Sequence, residues 1–378
     1  MCPQNHIATS LTTALRPFEN PNMTRKRSLP HGTFKTSQFA RSLLANWRRL
    51  KLPTARDPIV IGVSGGADSI ALLLALDELK RFGKLSPEIW IAHLDHGLRD
   101  SSKRDAQWVS ELAKRLGYPL VLGRARVREI AEHNADNLEQ SARTARYEFL
   151  ERTARRKRAQ FVLTAHTMDD QAETVMMRLM RGSSGLGLGG IEAVRALSKD
   201  GKITLVRPLL WARRSETEDY CRHRKQEFLL DEMNVDERYS RVKVRRQLLP
   251  LMESFNSRVV EALSRTATLL REDGAVLQKN AAELLKNATV PVEARNSKTK
   301  TPLLDVQVLS RAPAALRRRA LRQWIADARG NARRLEMAHL VAVERLLEGE
   351  AGERVAELPN GSRVRRRRGR LEFEVEND

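Results

Sequence analysis

Short apolar runs and longer one-sided apolar patterns take turns along the first half of the chain. Residues 59–63, Ile-Val-Ile-Gly-Val, form a continuous β-rich run after Pro58, the pattern of a strand buried on both faces. Leu72, Leu73, Leu76 and Leu79 then fall on one side of a predicted helix over residues 68–82. Strands are expected at 89–93, 120–122, 161–164 and 203–206, and helices at 103–116, 138–156 and 169–180. Another helix begins at Ser215, and an earlier one runs from Thr36 through Phe39, Leu43, Leu44 and Trp47. Strands alternating with amphipathic helices predict an α/β fold with a doubly wound parallel sheet. Ligands of such sheets sit beyond the carboxyl ends of the strands.

After residue 215 the alternation stops. Residues 215–286 predict helices, 287–301 are polar and aperiodic and predict a linker, and 306–349 again predict helices. Residues 354–376 predict a hairpin turned at Pro359-Asn360-Gly361, because Asn-Gly favours positive φ. Residues 1–36 lack an apolar period and carry Arg16, Arg25, Lys26, Arg27 and Lys35 against Glu19, which predicts a disordered basic tail. Met23 is a second candidate start, and an Arg-rich leader also fits an organelle-targeting segment. The expected division is therefore a tail at 1–36, an α/β domain at 37–214, a helical domain at 215–286, a linker, and a basic C-terminal region at 302–378 made of helices and a hairpin.

Composition narrows the function classes. The 378 residues include 68 Lys+Arg and 47 Asp+Glu, a net charge of +21, with 41% apolar residues. That apolar share supports a packed core and excludes disorder throughout. No stretch is long enough to cross a bilayer, so a soluble, cytoplasmic protein without a membrane partner is expected. Charge of this size points to a polyanionic partner, the bland alternative being charge kept only for solubility. Two cysteines, Cys2 and Cys221, exclude a disulfide scaffold, a zinc ribbon and a cysteine-ligated cluster. His93 and His96 flank Asp95 with no further ligand cluster, so no structural metal site is expected.

The strongest chemical signal is Ser64-Gly65-Gly66-Ala67-Asp68-Ser69, set between the first strand and its helix. Two glycines let backbone N–H groups approach an anion, the serines add donors, and the helix N-terminus adds partial positive charge. The alternative is a plain tight turn capped by Asp68 or Ser69. No Gly-Lys-Ser/Thr occurs, so this is not a Walker A loop. Residues 185–190, Gly-Leu-Gly-Leu-Gly-Gly, fit a dinucleotide fingerprint but follow a helix rather than a strand, and predict a flexible loop.

Three further blocks follow. Ala92-His93-Leu94-Asp95-His96-Gly97-Leu98-Arg99 closes the second strand. Glu139, Arg143 and Tyr147 share a helix face beside Arg146, where an arginine suits either a phosphate or a surface ion pair. Ala165-His166-Thr167-Met168-Asp169-Asp170-Gln171-Ala172-Glu173-Thr174 places Asp169, Asp170 and Glu173 in the first turns of a helix, as capping acids or as a site for Mg²⁺ or an ammonium group.

Ser-Gly-Gly-x-Asp-Ser resembles the PP-loop of the ATP pyrophosphatase superfamily, which includes NAD, GMP and asparagine synthetases and tRNA-modifying enzymes. With Arg207-Pro208-Leu209-Leu210 and the block Arg241-Val242-Lys243-Val244-Arg245, the pattern over residues 58–250 resembles bacterial tRNA(Ile)-lysidine synthetases. Val242 stands where that family commonly has Asn, and Asp231-Glu232-Met233-Asn234 where it often has Asp-x-Ser-Asn. The resemblance implies an enzyme that uses ATP with Mg²⁺, free L-lysine and the isoleucine tRNA with a CAU anticodon. The cytidine oxygen attacks the α-phosphate, diphosphate leaves, and the lysine amine then displaces AMP to give lysidine.

The resemblance further implies ATP contacts from Ser64, Gly65, Gly66, Ala67, Asp68, Ser69 and His93, and phosphate contacts from Arg143 or Arg146. Asp169, Asp170 and Glu173 become candidates for lysine or Mg²⁺. For the tRNA the candidates are Arg207, Arg241, Arg245, Arg317, Arg318, Arg365 and Arg366. Arg213, Arg214, Arg222, Arg224, Lys243 and Arg246 add to the same basic region. Assembly as a homodimer is left open. A small-molecule amidating synthetase would lack the basic C-terminal half, a non-catalytic RNA binder would carry a broken PP-loop, and a tRNA thiolase would need paired cysteines.

Overall fold

Residues 36–97, 102–134, 137–229, 240–290, 301–349 and 353–375 are described in a computed structural model. The chain divides into two units at Thr36, and every element below lies in the second, Ser37–Asp378. The expectation for the basic tail lies outside the described residues, as do Leu98, Arg99 and the 231–234 departure.

β1 (Pro58–Gly62) is the hydrophobic axis of the first sheet, with Ile59, Val60 and Ile61 all sealed from solvent. It pairs in parallel with β2 (Glu88–Asp95) on one side and with β4 (Phe161–Leu163) on the other. β3 (Leu120–Arg124), β5 (Val194–Ala196) and β6 (Thr204–Val206) complete the order β3-β2-β1-β4-β6-β5. Helices α2 (Ala67–Arg81), α3 (Ser102–Leu116), α5 (Leu138–Arg156) and α6 (Met168–Met180) match the predicted spans within one residue.

The sheet is mixed rather than wholly parallel. β5 runs antiparallel to β6 because only a hairpin joins them, with Gly201 at φ +69°, and no crossover helix reverses the chain. Sequence reading missed β5 because Val194 and Ala196 are exposed and only three residues pair. It also missed α4 (Val127–Asn134). Residues 185–190 are not a flexible loop: Gly185–Leu188 form a single helical turn, α7, and Leu186 sits against Gly274.

α1 (Gln38–Arg49) closes one end of this unit. Ser37 caps it, and buried Glu78 of α2 accepts from the Ser37 amide at 2.5 Å, from Ser37 Oγ at 3.0 Å and from Tyr220 Oη at 2.7 Å. Phe39 stacks on Tyr220 with ring centroids 4.6 Å apart.

α8 (Arg214–His223) leads to α9 (Ser240–Lys243), a π-helical turn (Val244–Leu248) and α10 (Leu249–Phe255). Pro250 lacks an amide hydrogen, and the wider turn precedes it. The long helix α11 (Val259–Ala288) then runs into β7 (Thr289–Val290). The expected linker at 287–301 thus begins with the end of α11 and a strand, and its residues 291–300 lie outside the described residues.

β8 (Leu303–Asp305), α12 (Val306–Arg311), α13 (Ala314–Arg329), α14 (Met337–Arg345), β9 (Arg354–Glu357), β10 (Ser362–Arg367) and β11 (Arg370–Val375) follow. Their second sheet is antiparallel in the order β7-β8-β11-β10-β9. The expected hairpin is a three-stranded meander, because Arg368-Gly369 makes a second positive-φ turn after Asn360-Gly361. Leu304, Leu309, Trp324, Ile325, Leu371 and Phe373 form its core. Among the described residues, no helix is long and apolar enough to cross a membrane.

Ile61→Ala should lower the free energy of unfolding by about 2–5 kcal/mol, since it empties space at the sheet centre. Urea unfolding at constant pH measures this, and a loss below about 0.5 kcal/mol would contradict the central place of β1.

Candidate active site

Strand order reverses between β1 and β4, so the loops after these strands lie side by side at the carboxyl edge, where α/β sheets bind ligands. The loop after β1 is the Ser-Gly-Gly-x-Asp-Ser segment. Gly65 holds φ +96°, and the Leu229 side chain lies 2.5 Å from where a Cβ would stand. Leu229 also donates its amide to the Gly65 carbonyl at 2.9 Å, so this turn tolerates only glycine. Ser69 Oγ donates to the Gly66 carbonyl at 2.9 Å and accepts from the Ser64 amide at 3.2 Å. Gly66 is the N-cap of α2, and no side chain caps the helix. The plain-cap alternative therefore fails, and the first amides of α2 are available to an anion.

Asp68 lies behind the loop. Thr217 Oγ1 donates to it at 2.5 Å, and Arg214 Nε lies 3.6 Å away. Burial pushes its carboxyl up to about 6, with Arg214 pulling against that shift and Asp170 adding to it. His93, expected at the nucleotide, is buried with Nδ1 2.8 Å from the Val63 carbonyl. It braces the strand end that carries the loop. Cys221 is buried, donates to the Ala67 carbonyl, and has its thiol pushed up to about 12 by burial and by Asp68. It is a thiol at working pH rather than a thiolate.

The loop after β4 enters α6 through a capping box in which Asp170 Oδ2 accepts from the Thr167 amide at 2.9 Å. Glu173, one turn on, has no exposed surface. Arg245 Nε and Arg241 Nε each donate to it at 2.7 Å, and Arg214 Nη1 at 3.2 Å. Asp170 Oδ1 takes Arg241 Nη2 at 3.1 Å and Arg214 Nη2 at 3.2 Å. Asp169 accepts from the Arg214 amide at 2.7 Å and from Arg213 Nε at 3.3 Å.

The three acids expected to meet lysine or Mg²⁺ are each met here by arginines. A sealed carboxylate needs an opposite charge in contact, and arginines from α8 and the 240–248 helix supply it. Burial alone would raise the Asp170 carboxyl, but Arg241 and Arg214 hold it well below the usual range. Burial keeps the neighbouring His166 imidazole neutral. Among the described residues, no group of three or more acids, histidines or cysteines is placed to hold a metal ion.

The arginines expected on tRNA each have a partner inside the protein. Arg207 is buried and donates to the Glu192 carbonyl and to Tyr147 Oη. Arg317 and Arg318 both bind Glu344, at 2.8 and 2.6 Å. Arg365 binds Glu374 and Glu353, and buried Arg366 donates to the Leu346 and Glu348 carbonyls. With Arg241 and Arg245 on Glu173, all seven candidates have internal partners. Arg143 lies over the Tyr147 ring, 5.0 Å from its centroid, and Arg146 occupies an exposed position on α5 near His166. Sequence reading missed Thr217 as the partner of Asp68, and it gave Arg214 to tRNA rather than to the acid cluster. One signal was present: both open the helix that follows the last parallel strand.

Comparison with known proteins fits this geometry. The PP-loop domain family matches residues 36–252, and the TilS substrate binding domain matches 304–372. A tRNA(Ile)-lysidine synthase from Geobacter sulfurreducens is 37% identical over 295 residues, covering 78% of this chain and 60% of that protein. The Gloeobacter violaceus tRNA(Ile)-lysidine synthase is 36% identical over 290 residues, covering 75% of this chain and 81% of that protein. This chain belongs to the tRNA(Ile)-lysidine synthase family. It spans about 60% of the Geobacter lysidine synthase and 58% of the one from Thermus thermophilus, to which it is 38% identical. Among solved structures, the U34-tRNA thiolase NcsA from Methanococcus maripaludis matches with TM-score 0.52 and 15% identity, over 62% of this chain and 80% of that one. That likeness shows a fold shared with the lysidine synthase family member described here.

In this lysidine synthase family member, Asp68 should titrate with a midpoint of about 6 in carboxyl ¹³C NMR. Arg214→Met should move the midpoint upward, because it removes the charge that lowers it. Folding with Asp68 protonated is favoured below its ordinary value of 3.8, and that advantage fades as pH rises through about 6. Asp68→Asn should therefore gain stability over wild type as pH rises across that window. A midpoint near 4, or a pH-independent stability difference, contradicts the burial argument.

Proposed function

We propose that the chain joins free L-lysine to C2 of the wobble cytidine in the CAU-anticodon isoleucine tRNA, at the expense of ATP. The observation that carries this reading is the uncapped N-terminus of α2 behind Gly65-Gly66, at the switch point of the sheet in a chain of this family. Phosphoryl chemistry of this kind needs positioning and charge stabilisation more than a protein nucleophile. The α2 amides and Ser64 would hold the phosphates that leave as diphosphate. The cytidine O2 attacks the α-phosphorus, and the P–O bond to diphosphate breaks. The lysine ε-amine then attacks C2, gives up a proton, and the C2–O bond breaks to release AMP.

A proton acceptor near the loop suits the second step. Asp68, pushed up to about 6, has a proton affinity closer to neutral pH than Asp170 has. Asp169, Asp170 and Glu173 serve the site by fixing Arg213, Arg214, Arg241 and Arg245, and a lysine ammonium would compete with those guanidiniums. Mg²⁺ would come with the nucleotide phosphates, and no step is assigned to it. The buried Cys221 thiol supports an amine from solution over sulfur transfer. Action in the cytoplasm, where tRNA is modified, accords with this reading. A homodimer would leave the site intact, since one chain supplies every residue named in it.

Purified protein with ATP and radiolabelled lysine should label the CAU isoleucine tRNA and not the elongator methionine tRNA. Label on neither, or equally on both, would sink the reading. Asp68→Ala should lose incorporation while tRNA binding persists; full activity would contradict the PP-loop assignment.

A further inference from the structure

Tyr147 of α5 is surrounded by guanidiniums from separate elements. Arg143 of α5 and Arg195 of β5 each lie 5.0 Å from its ring centroid. Arg207, just past β6, donates to its hydroxyl at 3.4 Å. Burial would raise the phenol, yet Arg143, Arg207 and Arg195 together pull it down, a sign of strongly positive local potential.

Two arginines of this cluster lie on an aromatic face rather than on an acid. Among the described residues, neither Arg143 nor Arg195 has a hydrogen bond or ion pair to a carboxylate. The buried Arg207 keeps its Nε without a hydrogen-bond partner. Nearby Arg178 and Arg271 are already committed, to the carbonyls of Gly187 and Gly190 and of Gly189 and Ile191. Position matters as well. Arg207 bears electrostatically on His166 at the end of β4, so the cluster borders the candidate active site. On its other side, β5 is an edge strand with Val194 and Ala196 exposed.

We propose that Arg143, Tyr147 and Arg195 form a subsite for the RNA phosphodiester backbone beside the nucleotide being modified. It rests on the tRNA-modification reading above. A guanidinium fork matches a phosphodiester in geometry and charge. The Tyr147 ring holds both guanidiniums before RNA arrives, so fewer rotamers are lost on binding. The edge strand gives a single strand an open path to the sheet's carboxyl end.

The test uses the full chain with Arg195→Ala and Arg195→Lys, and measures tRNA affinity across a salt series and ATP affinity separately. Among the described residues the Arg195 side chain has no hydrogen-bond partner, so an unchanged melting temperature is expected and controls for folding. Arg195→Ala should weaken tRNA binding roughly tenfold and reduce the slope of log K against log salt by about 0.7–0.9, with ATP affinity unchanged. Arg195→Lys should restore the slope but only part of the affinity. Unchanged tRNA affinity and slope in Arg195→Ala, with wild-type binding intact, would overturn the subsite alone. Weaker ATP binding with an unchanged tRNA slope would also overturn it, by assigning the anion to the nucleotide. A wild type that binds no tRNA would contradict the functional reading itself and the subsite with it.

Discussion

Glu173 is a carboxylate with no exposed surface, and it is held by three guanidiniums. Removing a charge from water costs several kcal/mol unless an opposite charge meets it in good geometry. Arg245 supplies that geometry with two nitrogens, Nε at 2.7 Å and Nη2 at 3.2 Å. Arg241 and Arg214 share the remaining lone pairs and extend the network to Asp170, and Arg214 reaches on to Asp68. The knot joins the helix after β4, the helix after β6 and the helix that carries the π turn. The PP-loop aspartate is one end of it.

The knot also explains how the excess charge is used. A net +21 first suggests a surface covered in free cations. Instead, arginine after arginine is bound to an acid or a carbonyl: Arg317 and Arg318 on Glu344, Arg363 and Arg365 on Glu374, Arg366 on two carbonyls. Partly exposed pairs of this kind add little stability individually, so their main effect is to fix side-chain direction. The α2 N-terminus keeps backbone amides without a side-chain cap, and Arg143 and Arg195 lie on the Tyr147 ring rather than on an acid.

Much of the first sheet was legible because its signals are local. The residues 59–63 run, the helix at Leu138–Arg156 and the loop between β1 and α2 each announce themselves within a few residues. β5 was not legible, because three residues with two exposed carry no period. The roles of Asp170 and Glu173 were hidden for a different reason. Their partners lie 41 to 72 positions away, and charge alone cannot say which acid an arginine will choose. The same separation hid the internal partners of Arg207, which is buried, and of Arg241 and Arg245, which are half-buried. Thr217 escaped notice likewise, 149 positions from Asp68.

A double-mutant cycle between Glu173 and Arg245 tests this account most directly. Glu173→Gln, Arg245→Met and the combined variant would be compared with wild type by urea unfolding at neutral pH. A buried, bidentate pair predicts a coupling of about 1–3 kcal/mol, with each single variant costing more than its share in the double. Additive losses, with coupling within about 0.3 kcal/mol of zero, would contradict the claim that this carboxylate holds the three helices together.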